Sequence, residues 1–165
     1  MLEPTAVSRP HMPGYGIVAA DEGAGLLAWS WAVERLRSSH DFWVTTVGPD
    51  GHPHSMPVWG VWDDDGLWFS SSNSSRRARH LDASPWCSAT TDDALAPVVL
   101  EGKAERVTEL GRIEGFLDGM NAKYEVSYDM GFMDPARNGS FFLVPDVAFG
   151  LDSADFTGTP TRWTF

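Results

Sequence analysis

Three short segments in the first half of the sequence constrain the fold more than any other feature. Residues 41–47, 54–62 and 67–70 are each rich in β-branched and aromatic residues, which favour extended strands. Residues 49–51 (Pro-Asp-Gly) and 63–66 (Asp-Asp-Asp-Gly) separate them, and both are turn signals of hairpin length. The pattern therefore predicts three consecutive antiparallel strands joined by short turns.

The remaining sequence alternates further strands with a few helices. Many short strands with hairpin-length links favour an antiparallel barrel, because closure hides the unpaired strand edges. We therefore predict a mainly β (α+β) fold, a six-stranded antiparallel barrel with a few peripheral helices. Strands are predicted at 86–91, 98–107, 141–144 and 147–151, helices at 25–38, 76–81 and 109–123, and an irregular segment at 124–139.

Composition limits the number of domains and the class of partner. With 165 residues, 42% of them apolar, the chain is predicted to form one domain over residues 23–165 after an extended N-terminal segment, residues 1–22. The formal net charge of -11 opposes binding to nucleic acids and to anionic membranes. Cys87 has no second cysteine to pair with, and the N-terminal segment lacks the features of a signal peptide. We expect a cytoplasmic protein that binds neither nucleic acid nor membrane.

A basic cluster follows the third predicted strand of this acidic chain. Residues 74–79 (Ser-Ser-Arg-Arg-Ala-Arg) combine hydroxyl groups, guanidinium groups and the free backbone N–H groups of a helix start. All three favour an anion such as a phosphate group. The alternative interpretation is a solvated helix start capped by serine, and the spacing by itself leaves both open.

Five short motifs follow one another along the first two thirds of the chain. They are Asp50-Gly-His-Pro53, Met56-Pro-Val-Trp59, Trp68-Phe-Ser-Ser71, Ser75-Arg-Arg-Ala78 and Glu101-Gly-Lys-Ala-Glu-Arg106. This is the order seen in pyridoxamine 5'-phosphate oxidase-like proteins, and the chain resembles that superfamily. Two later motifs, Lys123-Tyr124 and Thr161-Arg-Trp163, resemble actinobacterial-type flavin or deazaflavin oxidoreductases. The resemblance implies a split β-barrel of Greek-key topology that acts as a homodimer.

The same resemblance implies a cofactor site, with FMN or the deazaflavin F420 as the cofactor. The strand that carries Met56 would lie beside the flavin ring, the serines would reach the ribityl chain or phosphate, and the arginines would bind the phosphate. The tryptophans would line the pocket. The implied cofactor-binding residues are Met56, Pro57, Val58, Trp59, Ser70, Ser71, Ser75, Arg76, Arg77 and Trp163.

Three positions depart from the family pattern. Arg77 stands where the family usually has lysine, His80 where it has asparagine, and Pro97 where a glutamine helps to hold FMN in true pyridoxamine phosphate oxidases. The C-terminal basic motif that binds their substrate is also not evident. These departures argue against vitamin B6 oxidation and weaken the case for FMN in particular. Between the two cofactors the resemblance favours F420, whose acidic tail suits the arginine cluster.

Other candidate sites receive less support. His52 and His54 would share one side of a strand, but no third or fourth ligand is evident, so we predict no metal site. The acidic turn at 63–66 lacks the glutamate that an EF-hand requires. Cys87 has no evident activating histidine and is predicted to be a buried strand residue.

The first functional hypothesis is an oxidoreductase that transfers a hydride between F420 or FMN and an unidentified small conjugated molecule. The cofactor carries the chemistry in such enzymes, so a dedicated acid or base is not required, and the catalytic residues stay unknown. Tyr124, His54 or solvent are the candidate proton donors. The alternatives are a non-enzymatic flavin-, F420- or haem/tetrapyrrole-binding protein of the same fold, and a structural dimer that has lost its ligand.

Overall fold

The computed structural model describes residues 2–165, which form eight strands and three α-helices. The predicted strands and helices are present with small differences at their ends, except that the strands predicted at 141–144 and 147–151 form a single strand. Helix α1 begins at Trp29 and not at residue 25. The strands are β1 (Ala6–Ser8), β2 (Asp41–Val47), β3 (Pro53–Trp62), β4 (Leu67–Ser72), β5 (Trp86–Thr91), β6 (Val98–Val107), β7 (Asn138–Gly150) and β8 (Thr161–Thr164), and the helices are α1 (Trp29–Ser38), α2 (Arg76–Ala83) and α3 (Leu110–Tyr124).

Six strands close into an antiparallel barrel in the order β7-β4-β3-β2-β5-β6, and β6 pairs again with β7. Strands β2, β3 and β4 form the meander that the hairpin turns predict. The connection through α2 then returns the chain to the free edge of β2, where β5 pairs. This order is a Greek key, and the predicted six-stranded barrel is confirmed.

Strand β7 is the longest strand and holds three partners. Its first half pairs with β4, its second half with β8, and its opposite edge with β6 along most of its length. The sequence predicts two strands here because Pro145 and Asp146 interrupt the pattern. In the structure β7 continues through them as a bulge opposite Glu101 and Gly102, where a proline without an N–H is tolerated.

The N-terminal segment is tied to the other end of the chain. Strand β1 pairs with β8, and β8 continues the sheet beyond β7. Arg9 reinforces this contact by donating to the carbonyl oxygen of Pro160 at 2.9 Å. These bonds extend the sheet by two strands outside the closed barrel.

Two apolar clusters hold the elements together. The larger fills the barrel and is covered by α1, which buries Trp29, Ala32 and Leu36. The smaller packs the buried face of α3 against the outside of the barrel, where Trp68 is stacked on Phe116. Within residues 2–165, none of the helices has the length and apolar character needed to cross a membrane.

Candidate functional site

The barrel is split along one side of β3. The pairing of β3 with β4 ends at Gly60 and Phe69, so residues 53–59 of β3 are paired with β2 alone. Met56 lies opposite the buried residue Val44 and therefore on the inner face of the sheet, yet it is 49% exposed. We call the gap between residues 53–59 and residues 70–72 of β4 the split. It exposes one edge of a central strand and part of its inner face.

Helix α2 starts beside the split and is capped by Ser75. The Ser75 hydroxyl accepts a hydrogen bond from the backbone N–H of Ala78 at 3.1 Å. Its oxygen also lies 2.8 Å from the hydroxyl oxygen of Ser71 on β4. The predicted serine cap of this helix is thereby confirmed. The contact between Ser71 and Ser75 brings together two of the serines that are predicted to bind the phosphate.

Arg77 crosses the split. Its guanidinium donates to the Ser71 hydroxyl on β4 at 3.4 Å and to the Met56 carbonyl on β3 at 3.3 Å. The residue is only 8% exposed, and burial lowers the pKa of its guanidinium below the ordinary value. Within residues 2–165 no carboxylate pairs with Arg77, and its Nε is buried without a hydrogen-bond partner.

This arrangement fits a bound anion. A buried cation without a counter-charge is costly, and an anion near Ser71 and Ser75 would supply both the charge and the missing acceptor. The hydroxyls and the start of α2 add further donors. The residues present therefore fit the phosphate group of FMN or F420 that the family resemblance implies.

A basic cleft of about 530 Å³ adjoins the split. Two arginines, three histidines and one carboxylate line it, which makes it locally cationic in a chain of net charge -11. Partial desolvation and the positive charges of Arg76 and Arg77 lower the pKa of His54. The lining residues are Asp50, His52, Pro53, His54, Arg76, Arg79 and His80.

Trp59 lies at the far end of the split, stacked on Tyr124. The two ring centroids are 4.3 Å apart and the ring planes differ by 7°. The Tyr124 hydroxyl accepts from the Gly60 N–H at 2.8 Å and donates to the His40 carbonyl at 2.5 Å. Burial raises the pKa of Tyr124 to about 12. These contacts make Tyr124 a support for Trp59 and disfavour its role as a proton donor.

Lys123 lies beside this pair and is partly buried. It donates to the Gly60 carbonyl at 2.7 Å, and its ammonium lies 5.0 Å from the centre of the Phe42 ring. Burial lowers the pKa of Lys123 to about 8, although Asp92 and Asp41 oppose the shift. The folded chain therefore releases this proton at a lower pH than the unfolded chain does.

The depressed pKa predicts a pH dependence of stability. Between pH 8 and about 10, the unfolded state binds a proton at Lys123 that the folded state has released, so rising pH favours folding. We expect the free energy of unfolding of the wild type to increase relative to that of Lys123→Met across this window. Urea unfolding at several pH values measures it, and a constant difference between the two proteins would contradict it.

The structure brings nine of the ten predicted cofactor residues to the split or its border and places the tenth away from it. Trp163 is fully buried in the barrel core, with its ring centroid 5.4 Å from that of Trp29. Its side chain has no exposed surface and does not line the split. Cys87 is half-buried on β5, and burial raises the pKa of its thiol to about 12. Within residues 2–165 no cluster of three or more metal-ligating side chains was found.

The nine residues differ in exposure. Met56, Pro57, Trp59 and Arg76 are exposed, whereas Val58, Ser70, Ser71 and Ser75 are half-buried and Arg77 is buried. Sequence reasoning placed Arg79 in the basic cluster and noted the spacing of His52 and His54, but it did not predict that these residues line one cleft. His52 precedes β3, which begins at Pro53, so its place depends on the turn before the strand.

The fold and the site define a split β-barrel protein whose unpaired strand edge lies beside the basic start of a helix. The model of the pyridoxamine 5'-phosphate oxidase family matches residues 31–144, and the chain belongs to this family. The resemblance found in the sequence is thereby confirmed. No curated protein matches the sequence.

Several solved structures share the fold. One is the conserved hypothetical protein Rv2991 from Mycobacterium tuberculosis, with a TM-score of 0.68 and 22% identity over 84% of this chain and 88% of that chain. A protein named F420 reductase has a TM-score of 0.58 and 20% identity over 70% and 93%. HutZ, the haem storage protein from Vibrio cholerae, has a TM-score of 0.58 and 17% identity over 69% and 87%. The fold thus occurs in proteins named for a reductase and for haem storage.

Proposed function

We propose that the chain is an oxidoreductase that binds F420 or FMN in the split and exchanges a hydride with a small conjugated molecule. One observation carries the proposal: Arg77 is a buried cation that spans the split, and its partners among residues 2–165 are a serine hydroxyl and a carbonyl but no carboxylate. Such a cation is stabilised by a ligand that brings negative charge. A phosphate-bearing cofactor meets this requirement.

Different residues of the split would bind different parts of the cofactor. The phosphate would be held by Arg77, Arg76, Ser71 and Ser75. The flavin ring would receive hydrogen bonds from backbone groups on the unpaired edge of β3, at residues 56–59. When bound, F420 or FMN supplies the hydride chemistry. The chain orients the reacting partners and keeps water away. With the Tyr124 hydroxyl engaged, His54 or solvent is left as the proton donor.

The basic cleft supports F420 over FMN. It adjoins Arg76 at the start of α2, so a cofactor phosphate at Arg77 would have a cationic channel beside it. FMN ends at its phosphate and leaves this cleft unused. F420 continues beyond its phosphate into an acidic tail, which the arginines would attract.

We also propose that the chain acts as a homodimer. Trp43 and Val47 on β2, Trp59 on β3 and Trp86 on β5 are large apolar side chains exposed on neighbouring strands. Exposed apolar surface of this kind marks an interaction site. A second copy would cover it and close the exposed split between the subunits. Sedimentation equilibrium of the purified protein is expected to give the mass of two chains.

The test is a titration of the purified, ligand-stripped protein with F420, FMN and haem, followed by tryptophan fluorescence. We expect F420 to bind at micromolar concentration or tighter, more tightly than FMN, because both carry the phosphate and F420 alone reaches the cleft. The loaded protein is then mixed with conjugated electron acceptors, and oxidation of the reduced cofactor is followed by absorbance. Tight binding of haem alone would favour the tetrapyrrole-binding alternative, and no binding would indicate a barrel without its ligand.

A further inference from the structure

The loop between β4 and α2 is fastened to the barrel by one side chain outside the split. We propose that Arg106 of β6 is a positioning residue that holds residues 71–75 in the geometry that binds phosphate. This inference rests on the proposed function, because it assigns the phosphate to that loop. It concerns a residue that contacts Asn73 in the loop but is hydrogen-bonded to none of the four side chains proposed to hold the phosphate.

Arg106 joins the loop to the end of α2. Its Nε and Nη2 donate to the two carboxylate oxygens of Asp82 at 3.0 and 2.9 Å, and its Nη1 donates to the Asn73 side-chain oxygen at 2.8 Å. The guanidinium carbon also lies 4.8 Å from the centre of the Phe141 ring. The planar group is thus fixed on three sides, which a lysine in its place would not reproduce.

Asn73 is the point in the loop that receives this support. Its backbone N–H donates to the Arg137 carbonyl at 2.8 Å and its side-chain N–H group donates to the Pro135 carbonyl at 2.9 Å. With the bond from Arg106, the middle of the loop is held from β6 on one side and from the segment before β7 on the other. The flanking residues Ser71 and Ser75 are those that contact each other beside Arg77.

Gly139 shows that the barrel leaves room for this guanidinium. A Cβ at position 139 would overlap Arg106 Nη1 and lie 2.9 Å from its Cζ. Gly139 is also the β7 residue that pairs with Ser71 of β4. Arg106 therefore reaches the loop across a strand that has no side chain at the crossing point.

The network is better suited to fixing the loop than to stabilising the fold. The side chains of Arg106 and Asp82 are 29% and 50% exposed, and ion pairs in contact with solvent add little to global stability. The loop itself consists of four serines and Asn73, so none of its side chains is apolar. Removing Arg106 should accordingly disorder the phosphate site without unfolding the barrel.

The experiment compares FMN with riboflavin, which lacks only the phosphate. The wild type is expected to prefer FMN, and Arg106→Met should lower this preference at least tenfold while the Kd for riboflavin changes little. Arg106→Lys should restore part of it. Arg37→Met is the matched control, since Arg37 pairs with Asp64 away from the loop and its removal should leave the preference unchanged. An unchanged preference in Arg106→Met would overturn the inference.

Amide hydrogen exchange in the free protein provides a second readout that does not need the cofactor. The N–H groups of Asn73 and Ala78 are bonded in the wild type, and both should exchange at least tenfold faster in Arg106→Met. Equal protection in the two proteins would overturn the positioning role. Exchange could instead be faster in Arg106→Met while the wild type does not prefer FMN over riboflavin. That outcome would contradict the proposed function.

Discussion

Replacing Arg77 with methionine is expected to weaken the binding of F420 and FMN by at least about 100-fold, since two charge-assisted hydrogen bonds to phosphate contribute roughly 3 kcal/mol or more together. The same variant is expected to unfold at the same temperature as the wild type or higher. Arg77 is a buried charge with which no carboxylate in the described part of the chain pairs, and methionine fills similar space without the cost of desolvation. Fluorescence titration and thermal unfolding measure the two effects separately.

Two further variants make the Arg77 result specific. Arg79→Met removes the same charge from an exposed position of the same helix, and it is expected to weaken FMN binding only slightly. Arg77→Lys keeps a cation at the position where the family usually has lysine and should retain most of the affinity. If Arg77→Met bound both cofactors as tightly as the wild type, the phosphate would have to lie elsewhere.

Local sequence determines more of the meander than of the barrel closure. Strands β2, β3 and β4 are joined by short turns, so their pairing follows from neighbouring residues. Closure depends on β6 and β7, which are separated by α3 and a long irregular segment. Pro145 also interrupts the strand pattern of β7, and only the pairing with Gly102 shows that the interruption is a bulge. A local pattern does not contain that information.

The candidate site could likewise be predicted only in part from local sequence. Arg76 and Arg77 are adjacent and chemically identical, and sequence reasoning gave them the same role. The rotation of α2 on the barrel leaves Arg76 exposed and buries Arg77 between two strands. The position of Trp163 was not evident from the sequence for a related reason, since its place in the core depends on contact with Trp29 of α1, which is remote in the sequence. Helix orientation and long-range packing are set by the whole fold.

Replacing Gly102 with alanine is expected to lower the stability of the chain by about 3 kcal/mol or more, because overpacking against backbone cannot be relieved by a side-chain rotation. A Cβ at this position would overlap the Val144 carbonyl oxygen and lie 2.7 Å from the Cα of Pro145. Both atoms belong to the β7 bulge through which β6 and β7 close the barrel. The melting temperature should fall by roughly 10 °C for a chain of this size.

Gly115→Ala is the control for this prediction and should have the opposite sign. Gly115 lies within α3, and a Cβ there would meet no atom within 4 Å. Alanine is favoured over glycine in a helix by about 1 kcal/mol, so this variant should melt a few degrees higher than the wild type. If Gly102→Ala were as stable as Gly115→Ala, the backbone of the β7 bulge would have to move away from the new Cβ at little cost in free energy. Closure of the barrel would then depend less on the close contact between β6 and β7 than their backbone spacing indicates.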